Sequence, residues 1–335
     1  MGAKALIGIL GAGSWGTALA ILLSRNGQPV RLWSVDRSEL DPLPKDRENK
    51  RFLPGCPFPE PLRIEFELTK LAADCDDLLV VVPSHGFRGT LQQIAACEPK
   101  KLRLAWATKG FEIESGKLLH EVAREVLGAG VSFAVLSGPT FAKEVARGMP
   151  TAVTIASNDP RFAADLAAAV ASPTFRAYTS DDLTGVEVGG TVKNIIAIGT
   201  GISDGLGFGA NARAALITRG LAEITRLGLK LGARPETFQG LAGLGDLVLT
   251  CTDDQSRNRR MGLGLASGKS IQQVAKDIGQ VVEGVYAAEA VHVLAERLKV
   301  EMPICEQLYK ILHHGQDPRA AVEALMKRAL KSENA

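Results

Sequence analysis

The apolar run Ala5-Leu6-Ile7-Gly8-Ile9-Leu10 passes directly into Gly11-Ala12-Gly13-Ser14-Trp15-Gly16 and then into Thr17-Ala18-Leu19-Ala20-Ile21-Leu22-Leu23. No other stretch restricts the fold as tightly. The first run reads as a short buried strand and the third as a helix. Between them, Gly11 permits a tight turn, Gly13 lets a pyrophosphate approach the backbone, and Gly16 lets the helix pack on the strand. A phosphate held there meets free N–H groups at the positive end of a helix dipole. The plain alternative is a glycine-rich turn with no ligand. The position between strand and helix favours the nucleotide.

Further apolar runs follow at 30–34, 78–82, 102–106, 133–136 and 152–156, with helical segments between them. Near-continuous apolar strands alternating with helices indicate a parallel sheet covered on both faces. The expected fold class is therefore α/β, an N-terminal Rossmann-type doubly wound parallel sheet followed by an all-helical C-terminal domain. Val35, Asp36 and Arg37 close the second strand. Asp36 stands about where an acid binds the ribose of NAD, whereas Arg37 suits the 2′-phosphate of NADP. The two signals compete, and NAD or NADP is the expected cofactor. The proline-dense segment 41–62 reads as an irregular loop. Three strands run out into Pro83-Ser84-His85, Thr108-Lys109-Gly110 and Ser137-Gly138-Pro139-Thr140, loops that converge on one crevice beyond the carboxyl edge. There Lys109 is either a cation beside substrate or a solvated loop lysine.

From about residue 185 the strand signals stop. The division expected is 1–184 for a dinucleotide-binding domain and 185–335 for a helical substrate domain. Val188, Val192, Ile195, Gly199 and Ile202 lie on one helical stripe, with Lys193 in the middle of the segment. The neighbours of Lys193 along the helix are Gly189, Gly190, Ala197 and Thr200, all small. This spacing predicts open space above the ammonium where another molecule could lie; a lysine snorkelling from a core helix is the plain alternative. Further helices are expected over 212–232, 271–278, 285–298, 304–312 and 319–330. Two motifs interrupt them. Gly243-Leu244-Gly245-Asp246-Leu247 sets an acid among apolar residues, where it needs a buried partner such as Lys193. Ser256-Arg257-Asn258-Arg259-Arg260 gathers donors suited to a phosphate monoester, with a solvated basic loop as its bland reading.

Composition narrows the function classes. A net charge of +2 over 335 residues gives no case for nucleic acid or an anionic membrane surface. The five cysteines are scattered without C-x-x-C spacing, so neither a zinc site nor a disulfide framework is indicated. No apolar run is long enough to span a bilayer, and Leu6 stands where acylation at Met1-Gly2 would want Ser or Thr. A cytoplasmic protein without a membrane span is expected.

A nicotinamide site, a buried lysine and a phosphate clamp together suggest hydride exchange at the carbinol carbon of a small phosphorylated alcohol. Lys193 would accept the hydroxyl proton in oxidation and return it in ketone reduction. Six separated stretches then resemble the bacterial-type NAD(P)-dependent glycerol-3-phosphate dehydrogenases. They are 11–18, Ala107-Thr108-Lys109-Gly110, 136–142, Val192-Lys193-Asn194, 243–247, and Cys251-Thr252 with Ser256-Arg257-Asn258. The resemblance runs in order over nearly the whole chain. It implies interconversion of sn-glycerol 3-phosphate and dihydroxyacetone phosphate, which supplies the glycerol backbone of phospholipids, by an expected homodimer. It further implies that Gly11, Gly13, Ser14, Trp15, Gly16, Val35, Lys109, Ala142, Arg257, Val281 and Glu283 serve the dinucleotide. Lys109, Gly138, Thr140, Lys193, Asp246, Ser256, Arg257 and Asn258 would serve the substrate, with Lys193, Asp246 and Lys109 as the catalytic set. Val35 departs from the Arg or His often found there, removing one cation from the adenosine end.

Two other readings compete. A β-hydroxyacid dehydrogenase would carry Lys-x-x-x-Asn, but here asparagine follows the lysine directly as Lys193-Asn194. A dinucleotide sensor without catalysis would have no need of Lys193, Asp246 and Lys109 together.

Overall fold

The opening strand and helix form as the residue pattern requires, and the rest of a sheet assembles beside them. A computed structural model describes residues 4–99, 101–329 and 332; Met1-Gly2 and the last residue of the helix expected over 319–330 lie outside these. Among the described residues eight strands make one sheet: β1 (Ile7–Leu10), β2 (Val30–Trp33), β3 (Leu62–Ile64), β4 (Asp77–Val80), β5 (Arg103–Trp106), β6 (Ser132–Ser137), β7 (Thr151–Ser157) and β8 (Phe175–Ser180). Their order is β3-β2-β1-β4-β5-β6-β7-β8. The strand order therefore reverses between the parallel neighbours β1 and β4, the switch point at which such sheets open a crevice beyond their carboxyl ends. Helices α1 (Ser14–Arg25), α2 (Arg37–Leu40), α3 (Leu43–Asp46), α4 (Leu68–Asp74), α5 (Phe87–Ala96), α6 (Leu119–Leu127), α7 (Ala142–Ala146) and α8 (Pro160–Val170) connect the strands.

The sheet departs from the expected parallel one at a single joint, because β6 and β7 pair antiparallel. The connection explains it. Helix α7, the only helix between them, has five residues, about 8 Å at 1.5 Å per residue, and β6 is more than twice as long. The connection, residues 138–150, is near the shortest that a parallel crossover uses, and it does not return to the amino edge. Instead α7 packs on α1, and β7 starts from the carboxyl edge and runs back. Two strands carry no readable signal. β3 is three residues at the end of the proline-dense segment, and β8 is an edge strand in which only Phe175 is buried.

Nine helices follow among the described residues: α9 (Leu183–Gly205), α10 (Gly209–Lys230), α11 (Pro235–Gln239), α12 (Asp246–Thr252), α13 (Arg257–Ala266), α14 (Ile271–Ile278), α15 (Glu283–Leu298), α16 (Pro303–His314) and α17 (Pro318–Met326). The two motifs expected to interrupt the helices are themselves the starts of α12 and α13. A π-helical turn, Leu241–Gly245, leads into α12. Helix α9 is buried on every face from Gly185 to Ser203, not along one stripe as expected.

Glycines make that burial possible by letting backbones meet. A Cβ on Gly189 would stand 2.4 Å from Ala242 O, one on Gly201 2.1 Å from Arg259 O, and one on Gly262 2.1 Å from Ile198 O. The sheet and the helices have separate apolar cores, with Val186 at the foot of α9 in the first and Val188 onward in the second.

Gly189→Ala should lower stability by roughly 1–3 kcal/mol in urea unfolding, the usual cost of forcing atoms into a filled contact. Gly130→Ala, where an added Cβ meets nothing within 4 Å, should stay within about 0.5 kcal/mol of the parent.

Candidate active site

Three chain segments place one charged group each in the same small volume. Helix α9 supplies Lys193 from its buried middle. The loop after β5 supplies Lys109, next to Gly110, whose φ of +154° and 2.3 Å approach to Ser84 Cβ exclude a side chain there. The π-helical turn supplies Asp246 as the first residue of α12, where the positive end of a helix favours a carboxylate. That turn is tight enough that a Cβ on Gly243 would sit 2.2 Å from Phe238 O.

The ammonium of Lys193 donates to Asp246 Oδ1 and, at 2.7 Å, to Thr250 Oγ1. Lys109 Nζ donates to Asp246 Oδ2 at 2.5 Å. Thr250, one turn after Asp246, sends its own proton to Asp246 O at 2.6 Å, so its oxygen is free to accept from the lysine. Asp246 is 1% exposed and Lys193 5%. Burial acts on both groups first. It lifts the Asp246 carboxyl, but the Lys109 and Lys193 charges outweigh it and the net shift is downward. It drives the Lys193 ammonium down, and the Lys109 charge adds to this against the pull of Asp246, leaving Lys193 at about 7. Two cations share one anion out of water, and the excess charge is relieved at Lys193.

The space expected above Lys193 is partly filled. The faces of Gly189 and Gly190 receive Ala242 O and Ser137 Oγ. The glycines therefore bring Asp246 and β6 against the lysine. Ser137 Oγ is buried there without a hydrogen-bond partner.

A second cluster lies at the start of α13. Ser256 caps the helix, its Oγ accepting from Arg259 N at 3.2 Å, which leaves the hydroxyl proton available. Arg257 is half-buried, and among the described residues no carboxylate lies within ion-pair distance of it. Its guanidinium donates to Gln280 Oε1 at 3.1 Å, and Ser14 Oγ of the glycine loop donates to the same oxygen at 3.1 Å. Asn258 joins three helices: its Nδ2 donates to Asn194 Oδ1 at 2.9 Å and its Oδ1 accepts from Gly284 N at 2.9 Å. Glu283 opens α15 and accepts from Ser84 Oγ at 2.9 Å. Burial pushes its carboxyl up to about 7, against the pull of Ser84 and Arg257.

Gly138, at φ +155°, turns the chain past Ala152 and Val153, and Thr140 Oγ1 donates to Gly138 O at 3.1 Å. Pro139 of that loop lies within 3.7 Å of a Cβ on Gly245, beside the turn that leads to Asp246. Ala142 starts α7, which Glu144 links to Gln255 at 2.8 Å, just before the α13 cluster. Trp15 and Val281 are half-buried. Val35 stands apart, 72% exposed at the end of β2. Beside it, Asp36 spends Oδ1 on capping α2 through Ser38 N and Oγ, and Arg37 lies over the Phe66 ring, 5.1 Å from its centroid. Arg259 is a structural residue: it pairs with Asp204 and Asp254.

Sequence reasoning missed Thr250 and Gln280. Thr250 follows Asp246 by four residues, a spacing that would have exposed it had 246–252 been read as helix. Gln280 carries no signal in the chain.

At the turn between β1 and α1, no side chain caps the helix, and a Cβ on Gly13 would meet nothing within 4 Å. Gly16 packs so closely on the turn that a Cβ would stand 1.9 Å from Gly11 O.

Family models match both parts of the chain. Residues 6–163 match the NAD-dependent glycerol-3-phosphate dehydrogenase N-terminus and residues 182–323 match the corresponding C-terminus. Glycerol-3-phosphate dehydrogenase [NAD(P)+] of Colwellia psychrerythraea is 55% identical over 99% of this chain and 100% of its own. That of Tolumonas auensis is also 55% identical, with the same shares covered. The crystal structure of a glycerol-3-phosphate dehydrogenase from Coxiella burnetii, 50% identical, superposes with a TM-score of 0.95 over 98% of this chain and 100% of that one.

In a side-chain NMR titration of the free protein, Lys193 should lose its proton at about pH 7. Asp246→Asn removes the attraction that holds the proton on, so the midpoint should move lower; an unchanged or higher midpoint would contradict the charge arrangement.

Proposed function

The chain belongs to the NAD-dependent glycerol-3-phosphate dehydrogenase family and has NAD(P)-dependent glycerol-3-phosphate dehydrogenase activity; from that premise we propose how its residues divide the work. The open cradle at Gly13 and the uncapped start of α1 suit a pyrophosphate, as the glycine spacing requires. A nicotinamide dinucleotide bound along this edge supplies the hydride exchange. Gly11, Gly13, Ser14, Trp15, Gly16, Lys109, Ala142, Arg257, Val281 and Glu283 bind it, with Val35 at its adenosine end. Residues 1–184 form the dinucleotide half and 185–335 the substrate half.

Lys193 is the acid and base. Its neutral form takes the hydroxyl proton of sn-glycerol 3-phosphate onto Nζ, and its ammonium returns a proton to the oxygen when dihydroxyacetone phosphate is reduced. Asp246 and Thr250 orient Nζ, and Lys109, on the other carboxylate oxygen, supports negative charge developing at the substrate oxygen. Arg257 grips the phosphate together with Ser256, while Asn258 sets the start of α13 against α9. Gly138 and Thr140 close the opposite wall. The observation that carries this reading is Arg257, a half-buried guanidinium that donates to the neutral Gln280. Glu283 acts on it only from a distance, without an ion pair, which leaves the guanidinium's donors open to an anion from outside the chain. The reading includes a cytoplasmic homodimer feeding glycerol phosphate to phospholipid synthesis, which rests on the family resemblance.

The pH dependence follows from the sign of the Lys193 shift. Alcohol oxidation needs the neutral amine, so kcat/KM should rise through about pH 7. Ketone reduction needs the ammonium and should fall across the same range. Ionisation of the substrate phosphate would move both directions alike, so opposite slopes identify the lysine. Lys193→Ala should lose both slopes and reduce kcat by roughly two or more orders of magnitude while dinucleotide affinity holds.

Arg257→Gln should raise KM for dihydroxyacetone phosphate by about ten-fold or more, the scale of a charge-assisted hydrogen bond. With unphosphorylated dihydroxyacetone kcat/KM should change little. Both substrates are compared at saturating dinucleotide, and equal losses would remove Arg257 from the phosphate and leave it to the dinucleotide or the fold.

A further inference from the structure

Behind the α13 cluster lies an ionic knot that the chemistry above does not use. Asp204, in the last turn of α9, accepts with one oxygen, Oδ2, from Arg259 Nη1 at 2.6 Å and from Arg213 Nη1 of α10 at 2.7 Å. Arg259 also pairs through Nε with Asp254 at 2.9 Å. Asp204 and Arg259 side chains are each 11% exposed, so the pair is shielded from water and salt far more than a surface bridge. The same place is where α9 and α13 touch backbone to backbone: Arg259 O lies against Gly201, and Ile198 O against Gly262.

We propose that Asp204 is a positioning residue for the phosphate grip. The first turn of α13 carries Ser256, Arg257 and Asn258, and it is fastened to α9 at two points. At the site end, Asn258 donates to Asn194, the residue next to Lys193. At the far end, Arg259 donates to Asp204, eleven residues and about 16 Å along α9 from Lys193 at 1.5 Å per residue. Asn258 and Arg259 are adjacent on α13, but their partners Asn194 and Asp204 stand ten residues, about 15 Å, apart on α9, so the first turn of α13 is tied across that length of α9. The offset between the proton-handling Nζ and the phosphate donors is then constant, which selects a substrate whose phosphate lies a set distance from its carbinol. With Asp204 neutralised, the glycine contact remains but permits sliding, because it contains no directional bond. The Arg213 bond has a different task, since it holds α10 and reaches neither the clamp nor the lysine.

This inference rests on the reading that Ser256 and Arg257 hold phosphate, which the Arg257→Gln comparison tests separately. If that variant shows no preference for phosphorylated substrate, the reading itself fails; if it does show one, the following experiment addresses Asp204 alone. For D204N, KM for dihydroxyacetone phosphate should rise by about five-fold or more with kcat within about two-fold, and kcat/KM for dihydroxyacetone should be unchanged. R259K, which keeps the charge but loses the fork, should move KM in the same direction. R213Q should leave KM within about two-fold. A D204N protein with parent-like KM, or with equal losses on both substrates, overturns the proposal. Should D204N fail to accumulate folded, R259K and R213Q decide: equal KM values in those two variants would overturn it.

Discussion

Two ammonium groups on one buried carboxylate are the arrangement around which the rest is built. Lys109 and Lys193 occupy the two oxygens of Asp246, and burial of Asp246 and Lys193, with Lys109 only partly exposed beside them, makes the net positive charge costly. The cost is relieved by releasing a proton from Lys193, which brings the group proposed to exchange protons down to about 7. A lone buried lysine would lose its proton without recovering it readily. A lysine paired with an unshared aspartate would keep its proton too well. The third charge places it between these extremes.

Most of the backbone architecture keeps those groups in contact. Lys193 sits on a helix buried on all faces from Gly185 to Ser203. Asp246 is delivered by a π-helical turn pressed on α9 at Gly189, and Lys109 by a loop pressed on Ser84 at Gly110. At each contact a side chain has been omitted so that a backbone can approach. The antiparallel joint between β6 and β7 contributes as well. By keeping the chain at the carboxyl edge, it leaves Gly138, Pro139 and Thr140 beside the turn that carries Asp246.

Local patterns were readable from the residues alone. The strand, glycine loop and first helix are contiguous, so their geometry depends on neighbours in the chain. The lysine stood out because a charge in an apolar helix needs a reason, and Asp246 was the partner that the same argument requested. Other features were hidden for physical reasons. β8 is an edge strand with one buried side chain and no alternation to detect. The helices α12 and α13 begin with charged, polar and glycine residues that resemble loops, so Thr250 was not recognised as facing Asp246. The space expected over Lys193 was inferred from small neighbours on its own helix, which cannot reveal what packs against them.

By itself the sequence determined the nucleotide-binding start, the change from sheet to helices, and the residue types available for proton transfer and phosphate binding. These follow from short-range spacing and from the cost of burying charge. Only the tertiary structure decided which of these residues meet. Lys109 and Asp246 are 137 positions apart and Ser14 and Gln280 are 266 apart. Contacts over such separations depend on strand order, on the direction of β7, and on glycine-mediated helix crossings. None of these is encoded in the pattern of any one segment, because each is set by how two segments fill the space between them.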